Sequence, residues 1–133
     1  MKIEHIGIAV KDLLKAEQVF SDLFKKNPYK RETVESEAVT TSFYQMGDSK
    51  VELLEATAET SAIAKFIEKR GEGLHHIAVE VDDIHAEMER LKKAGYRLLN
   101  ETPKKGADNK WVCFIHPKDC GGVLLELCQD IPT

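Results

Sequence analysis

Apolar and small or polar residues alternate over residues 3 to 10. Ile6, Ile8 and Val10 fall on one side, and Ile3, His5, Gly7 and Ala9 on the other. A period of two marks a strand. One of its faces is apolar, and the other is mostly small residues around a histidine. Residues 76 to 81 alternate in the same phase, with Ile77, Val79 and Val81 opposing His76, Ala78 and Glu80. Both histidines therefore project from the side away from the apolar face.

Each strand runs into an aspartate, Asp12 or Asp83, of the kind that caps a helix N-terminus. Leu13, Ala16, Phe20, Leu23 and Phe24 then recur at helical spacing, as do Ile84, Met88 and Leu91 before a C-terminal cap at Gly95. Three strand-like runs follow each helix. They cover about 29–35, 39–46 and 49–55 in the first half, with a turn at Gly47-Asp48. In the second half they cover about 96–101, 110–115 and 122–128, with turns at Gly106 and Gly121-Gly122.

Thr60 to Arg70 reads as a connecting helix. Thr60 or Ser61 caps it, Ile63, Ala64, Phe66 and Ile67 form its apolar side, and Gly71 ends it. The expected fold is α+β, two tandem βαβββ modules. Module one covers about 1–57, the connecting helix about 60–71 and module two about 72–130. Modules of this size are marginal alone, so 1–133 is expected to act as a single domain with a shared core.

The modules repeat in sequence as well as in pattern. EHIGIAVKD (4–12) matches HHIAVEVDD (75–83), and KVELLE (50–55) matches LLELCQ (124–129). His5 falls on His76 with an offset of 71, and Glu52 on Glu126 with an offset of 74. The three-residue difference is the size of one loop change.

Glu52 and Glu126 lie inside Leu/Val strands, where a carboxylate is costly to bury unless it is paired, hydrogen-bonded or bound to a cation. Two imidazoles and two carboxylates at equivalent places suit one borderline divalent ion such as Co²⁺, Ni²⁺, Zn²⁺, Mn²⁺ or Fe²⁺. Calcium, which prefers oxygen ligands alone, suits them poorly. A single strand histidine is more often a hydrogen-bonded structural residue. The symmetric recurrence of both residue types is what favours a metal site.

Other polar residues read more plainly. His75 alternates away from His76, and His85 sits on the solvent side of a helix. His116, in His116-Pro117-Lys118, is divided between a turn role and contact with a substrate. Lys104 and Lys105 lie in the loop TPKKGADNK, either solvated or meeting substrate phosphates.

Charge and composition remove several function classes. A net charge of −4 argues against a nucleic-acid partner. No apolar run approaches the roughly 18 residues of a membrane span. The chain enters a predicted strand at once, which leaves no room for a leader. Three cysteines, Cys113, Cys120 and Cys128, without a CxxC pair, point to a reduced, cytoplasmic protein.

Two βαβββ modules, each opened by His and closed by Glu, resemble the vicinal oxygen chelate superfamily of glyoxalases, bleomycin-resistance proteins and dioxygenases. EHIGIAV, KVELLEAT, IAKFIEKRGEGLHHIAVEVDD and FIHPKDCGGVLLEL are similar in detail to its methylmalonyl-CoA epimerase family, and the likeness spans residues 3 to 129.

The resemblance implies a cupped mixed sheet around one metal ion per chain, held by His5, Glu52, His76 and Glu126. Cobalt is the ion implied first, with Ni²⁺, Zn²⁺ or Mn²⁺ as substitutes. It also implies a CoA thioester substrate, a homodimer, and C2 proton abstraction from methylmalonyl-CoA. Glu126 is the first expected base, with Glu52 or a metal-bound water as the second. Some relatives carry a further Glu where this chain has Thr41. The alternatives are a glyoxalase I-type isomerase or lyase acting on a thiol adduct, and a non-enzymatic small-molecule binder of the same fold.

Overall fold

The computed structural model describes residues 1–132. Two compact units make it up: His5–His75, and Met1–Glu4 together with the chain from His76 onward. The secondary structure is α+β. β1 (Lys2–Ala9), α1 (Leu13–Phe24), β2 (Lys30–Val34), β3 (Val39–Met46) and β4 (Ser49–Ala56) form the first βαβββ series, followed by α2 (Ala62–Arg70). β5 (Gly73–Glu80), α3 (Ile84–Lys93), β6 (Lys104–Gly106), β7 (Lys110–Ile115) and β8 (Leu125–Asp130) form the second.

In the His5–His75 unit the strand order is β2-β3-β4-β1. β1 runs parallel to β4, and the other neighbours are antiparallel. The apolar side of the β1 pattern packs under α1, where Val10, Leu13, Tyr44 and Leu53 form a buried cluster with Ile8, Phe20 and Phe24 around it. The opposite side carries His5 and Glu52. At its far end Ala9, Val39 and Leu54 pack against Ile63 of α2. α2 begins at the Ser61 cap, whose hydroxyl accepts from the Ile63 N–H, and stops at Gly71, as the sequence predicts.

The other unit repeats this plan, with strand order β5-β8-β7-β6 and β5 parallel to β8. Val81, Ile84, Met88, Cys113, Ile115 and Leu127 form its core beneath α3.

The repeat reaches into individual hydrogen bonds. Asp12 accepts from the Lys15 N–H at 3.2 Å, and Asp83 from the Ala86 N–H at 3.1 Å. The Leu13 N–H donates to Glu55, and the Ile84 N–H donates to Gln129. Glu55 and Gln129 each lie three residues past Glu52 and Glu126. Each helix start is thereby tied to the strand that carries the glutamate. One capping side chain satisfies only part of the orphan amides of a first turn. A neighbouring strand supplies the next acceptor.

One expected strand is not formed. Residues 96–101 make a single bridge, Leu98 to Ile115, and the regular edge strand comes later, at Lys104–Gly106. The cause is local. The Phe114 N–H donates to the Asn100 side chain instead of to a backbone carbonyl. Pro103, lacking an N–H, interrupts the ladder before it resumes.

Beside this segment Arg97 holds Asp119. Its side chain donates to both carboxylate oxygens, and its backbone N–H adds a third bond. The guanidinium bonds first, and then the backbone bond, hold the Asp119 carboxyl down to about 2. The folded value lies below the unfolded one, so the stabilisation is complete above pH of about 4 and is lost as pH falls through about 2. The stability gap between the wild type and Asp119→Asn, read from urea midpoints, should therefore close between pH of about 4 and 2. A gap that stays constant over that range would show the pair contributes nothing.

Candidate metal centre

Each unit builds one histidine–glutamate pair. In the His5–His75 unit, β1 and β4 run parallel with Gly7 beside Glu52 and His5 beside Lys50. The histidine and the carboxylate thus share a face one step apart, and His5 Nδ1 lies 3.1 Å from a Glu52 oxygen. In the other unit Ala78 stands beside Glu126, and His76 Nε2 lies 3.5 Å from a Glu126 oxygen. A small residue, Gly7 or Ala78, flanks each carboxylate and leaves room over it. The relative exposures of His5, Glu52, His76 and Glu126 are 5, 4, 6 and 5%.

This burial sets the chemistry. An ionised carboxylate with so little solvent needs a proton-bearing partner or a cation. Two donors each about 2.1 Å from one ion, at tetrahedral or octahedral angles, lie about 3.0–3.4 Å apart. The two pairs sit close to that separation. Neutral imidazole nitrogen with carboxylate oxygen is also a donor set suited to Zn²⁺, Co²⁺, Ni²⁺ or Mn²⁺. Each pair fits half of the ligand shell of such an ion.

The surroundings repeat too, in a way the sequence pattern did not single out. Phe43 stands cross-strand from Glu52, and Phe114 cross-strand from Glu126. The Phe114 ring meets His76 edge-on, centroids 6.0 Å apart at 88°. A lysine lies over each phenylalanine: Lys30 4.8 Å from the Phe43 centroid, and Lys104 5.6 Å from that of Phe114. The two phenylalanines are 71 residues apart, the same offset as the histidines, and that coincidence was the available signal.

Lys110 is buried on the face of Glu126 and is ion-paired to Glu4 at 3.8 Å and to Asp130.

Thr41 lies on the Glu52 face, one cross-strand pair along from Phe43. Its hydroxyl is buried and has no hydrogen-bond partner among the described residues. The position offers a hydroxyl and no carboxylate.

The remaining sequence candidates fall outside the two pairs. His75 packs edge-on against Phe66 at 5.0 Å, and burial lowers it to about 4, so it is neutral near pH 7. His85 is exposed on α3. His116 Nδ1 accepts the Lys118 N–H at 3.1 Å, which is the turn role. Cys113, Cys120 and Cys128 are free thiols, and burial raises all three. Among the described residues, no helix is long and apolar enough to cross a membrane.

Comparison with known proteins agrees with this construction. Residues 4–114 match the family model of the Glyoxalase/Bleomycin resistance protein/Dioxygenase superfamily. A mitochondrial methylmalonyl-CoA epimerase of Homo sapiens is 41% identical over 96% of this chain and 73% of its own length. An ethylmalonyl-CoA/methylmalonyl-CoA epimerase of Cereibacter sphaeroides is also 41% identical, over 96% of this chain and 97% of its own.

Among solved structures, a variant methylmalonyl-CoA epimerase of Streptomyces coelicolor in complex with 2-nitronate-propionyl-CoA superimposes with a TM-score of 0.95. It is 34% identical and matched over 100% of this chain and 96% of its own. A tandem βαβββ architecture, a His–Glu pair in each half and similarity over nearly the whole chain lead to one conclusion. The chain belongs to the glyoxalase/bleomycin resistance protein/dioxygenase superfamily and, within it, to the family of the methylmalonyl-CoA epimerases.

Proposed function

We propose that this protein is an epimerase that interconverts (2R)- and (2S)-methylmalonyl-CoA. The observation that carries the proposal is the buried His–Glu pair, made twice from equivalent strands. Relatives similar over nearly the whole chain bear the name of that activity.

In this reading the two units work as one domain. His5, Glu52, His76 and Glu126 together hold one divalent ion, Co²⁺ foremost, with Ni²⁺, Zn²⁺ or Mn²⁺ as substitutes. When bound, the ion supplies Lewis-acid stabilisation of the charge that develops on the substrate's oxygens.

The chain's own residues move the proton. C2 of the substrate lies between a thioester and a carboxylate, so its hydrogen is acidic. Inversion requires a proton to leave one face and another to arrive on the opposite face, which calls for two acid–base groups. Glu126 serves one face and Glu52 the other. Thr41 offers no carboxylate, so the second role falls to the pseudo-symmetric partner of the first. Phe43 and Phe114, cross-strand from the two glutamates, keep the carboxylates in apolar company and limit stray water. We further assign a cytoplasmic location and a homodimer, whose assembly would cover the exposed edges of β2 and β6.

The test is deuterium uptake at C2 of methylmalonyl-CoA in D₂O, followed by NMR with metal-loaded and chelated protein. Loaded protein should exchange C2 and interconvert the epimers, and chelated protein should do neither. Loading should also raise the melting temperature, since saturation at 100 times Kd adds about 2.7 kcal/mol. Fully loaded protein that exchanges nothing would overturn the assignment and bring forward a thiol-adduct isomerase.

A further inference from the structure

One patch of the repeat changes character. In the first series Ala9, Val39, Leu54 and Ala56 pack as an apolar cluster against Ile63 of α2. At the offsets of the histidines and the glutamates, 71 and 74, their counterparts in the second are Glu80, Lys110, Cys128 and Asp130. The start of the chain meets this charged patch. Lys2 lies 3.7 Å from Glu80, and Glu4 lies 3.8 Å from Lys110, whose ammonium also holds Asp130.

The two contacts differ in depth. Lys2 and Glu80 are open to solvent, where an ion pair holds little. Glu4 and Lys110 are both buried. Separating them would strip two interior charges of a counter-ion, a far larger penalty. The fourth residue of the chain is therefore pinned, and the next one is His5. By its contacts Glu4 belongs to the unit that carries His76 and Glu126, whereas His5 belongs to the other.

We infer that Glu4 and Lys110 are a positioning pair for the candidate metal centre. They hold the strand that bears His5 to the unit that supplies His76 and Glu126. The role rests on the reading above, in which His5, Glu52, His76 and Glu126 hold one ion. Each unit gives two of the four ligands, so affinity for the ion depends on how firmly this strand is tied across. Residues that orient metal ligands are worth about 10–100-fold in affinity.

The test is the affinity of metal-free protein for Co²⁺, read by competition with a chromogenic chelator. Wild type is compared with Glu4→Gln, Lys110→Met, the double variant and Asp130→Asn, and the melting temperature of each metal-free protein is recorded alongside. Both single variants and the double variant should weaken binding by about 10–100-fold and to a similar extent, because each opens the same pair. Asp130→Asn leaves that pair in place and should bind like wild type.

A direct charge effect on the ion behaves differently. Losing the Glu4 carboxylate would weaken binding, and losing the Lys110 ammonium would tighten it. That pattern would overturn the inference, as would an equal loss in Asp130→Asn. A lowered melting temperature with wild-type affinity would make the pair structural only and overturn it too. Should Lys110→Met fail to fold, the double variant leaves no Glu4 charge unpaired, and wild-type affinity there would be equally fatal. Wild type that takes up no Co²⁺ would sink the shared-ion reading and this role with it. Wild type that binds one ion, with variants that match it, sinks the role of the pair alone.

Discussion

Glu126→Gln and Glu52→Gln should each slow epimerisation by about 10²–10⁴-fold, the usual contribution of one positioned acid–base group. The two variants should nevertheless differ. If one carboxylate serves each face of C2, a variant that lacks one base still removes the proton of the epimer served by the other. Glu126→Gln should then exchange deuterium into one pure epimer with little conversion, and Glu52→Gln into the opposite epimer.

Gln still offers an oxygen at each position, so both variants are compared at equal metal content, which separates loss of a base from loss of a ligand. Exchange lost from the same epimer in both variants would rule out the one-base-per-face scheme. Full activity in Glu52→Gln would remove Glu52 from the chemistry and leave it as a metal ligand alone.

The largest stability loss is expected at Ile84. Its side chain is fully buried among Val81, Met88, Cys113, Ile115 and Leu127. Truncation to Ala removes three carbons from a close-packed site and leaves a cavity, at about 2–5 kcal/mol. Ile84→Val should cost about 0.5–1.5 kcal/mol. Urea unfolding measures both. A loss below about 1 kcal/mol for Ile84→Ala would mean that α3 closes over the gap and that this packing is not tight.

The site feels this change as well. Ile84 opens α3, and its N–H donates to Gln129, three residues past Glu126 on the same strand. Loosening the helix start should therefore loosen the strand end that carries the glutamate.

Much of this architecture is readable in short windows. Asp12 and Asp83 cap the helices they were expected to cap, because a cap depends on a side chain and an amide three residues away. The period-two runs at His5 and His76 became strands with the histidines away from the apolar cores, because alternation is a property of the extended backbone itself. The repeat pairs His5 with His76 and Glu52 with Glu126 because both copies place these residues on the same strand of the same unit plan.

The run at 96–101 shows where short windows fail. Its apolar content suits a strand, but Asn100 takes a ladder bond into its side chain and Pro103 cannot donate the next. The edge strand is displaced toward Lys104 as a result.

What no window contains is the neighbour. That β1 lies parallel to β4, more than forty residues on, decides that His5 and Glu52 approach to 3.1 Å. The same kind of distant pairing sets Phe114 beside Glu126 and turns Lys104, rather than Lys105, toward the candidate site. Periodicity and capping arise from contacts within a few residues, so the chain's order of residues expresses them directly. Strand partners and register arise from long-range pairing, in which a shift of one residue moves every side chain to the other face. Only the folded chain sets that register, and with it which charges meet the two His–Glu pairs.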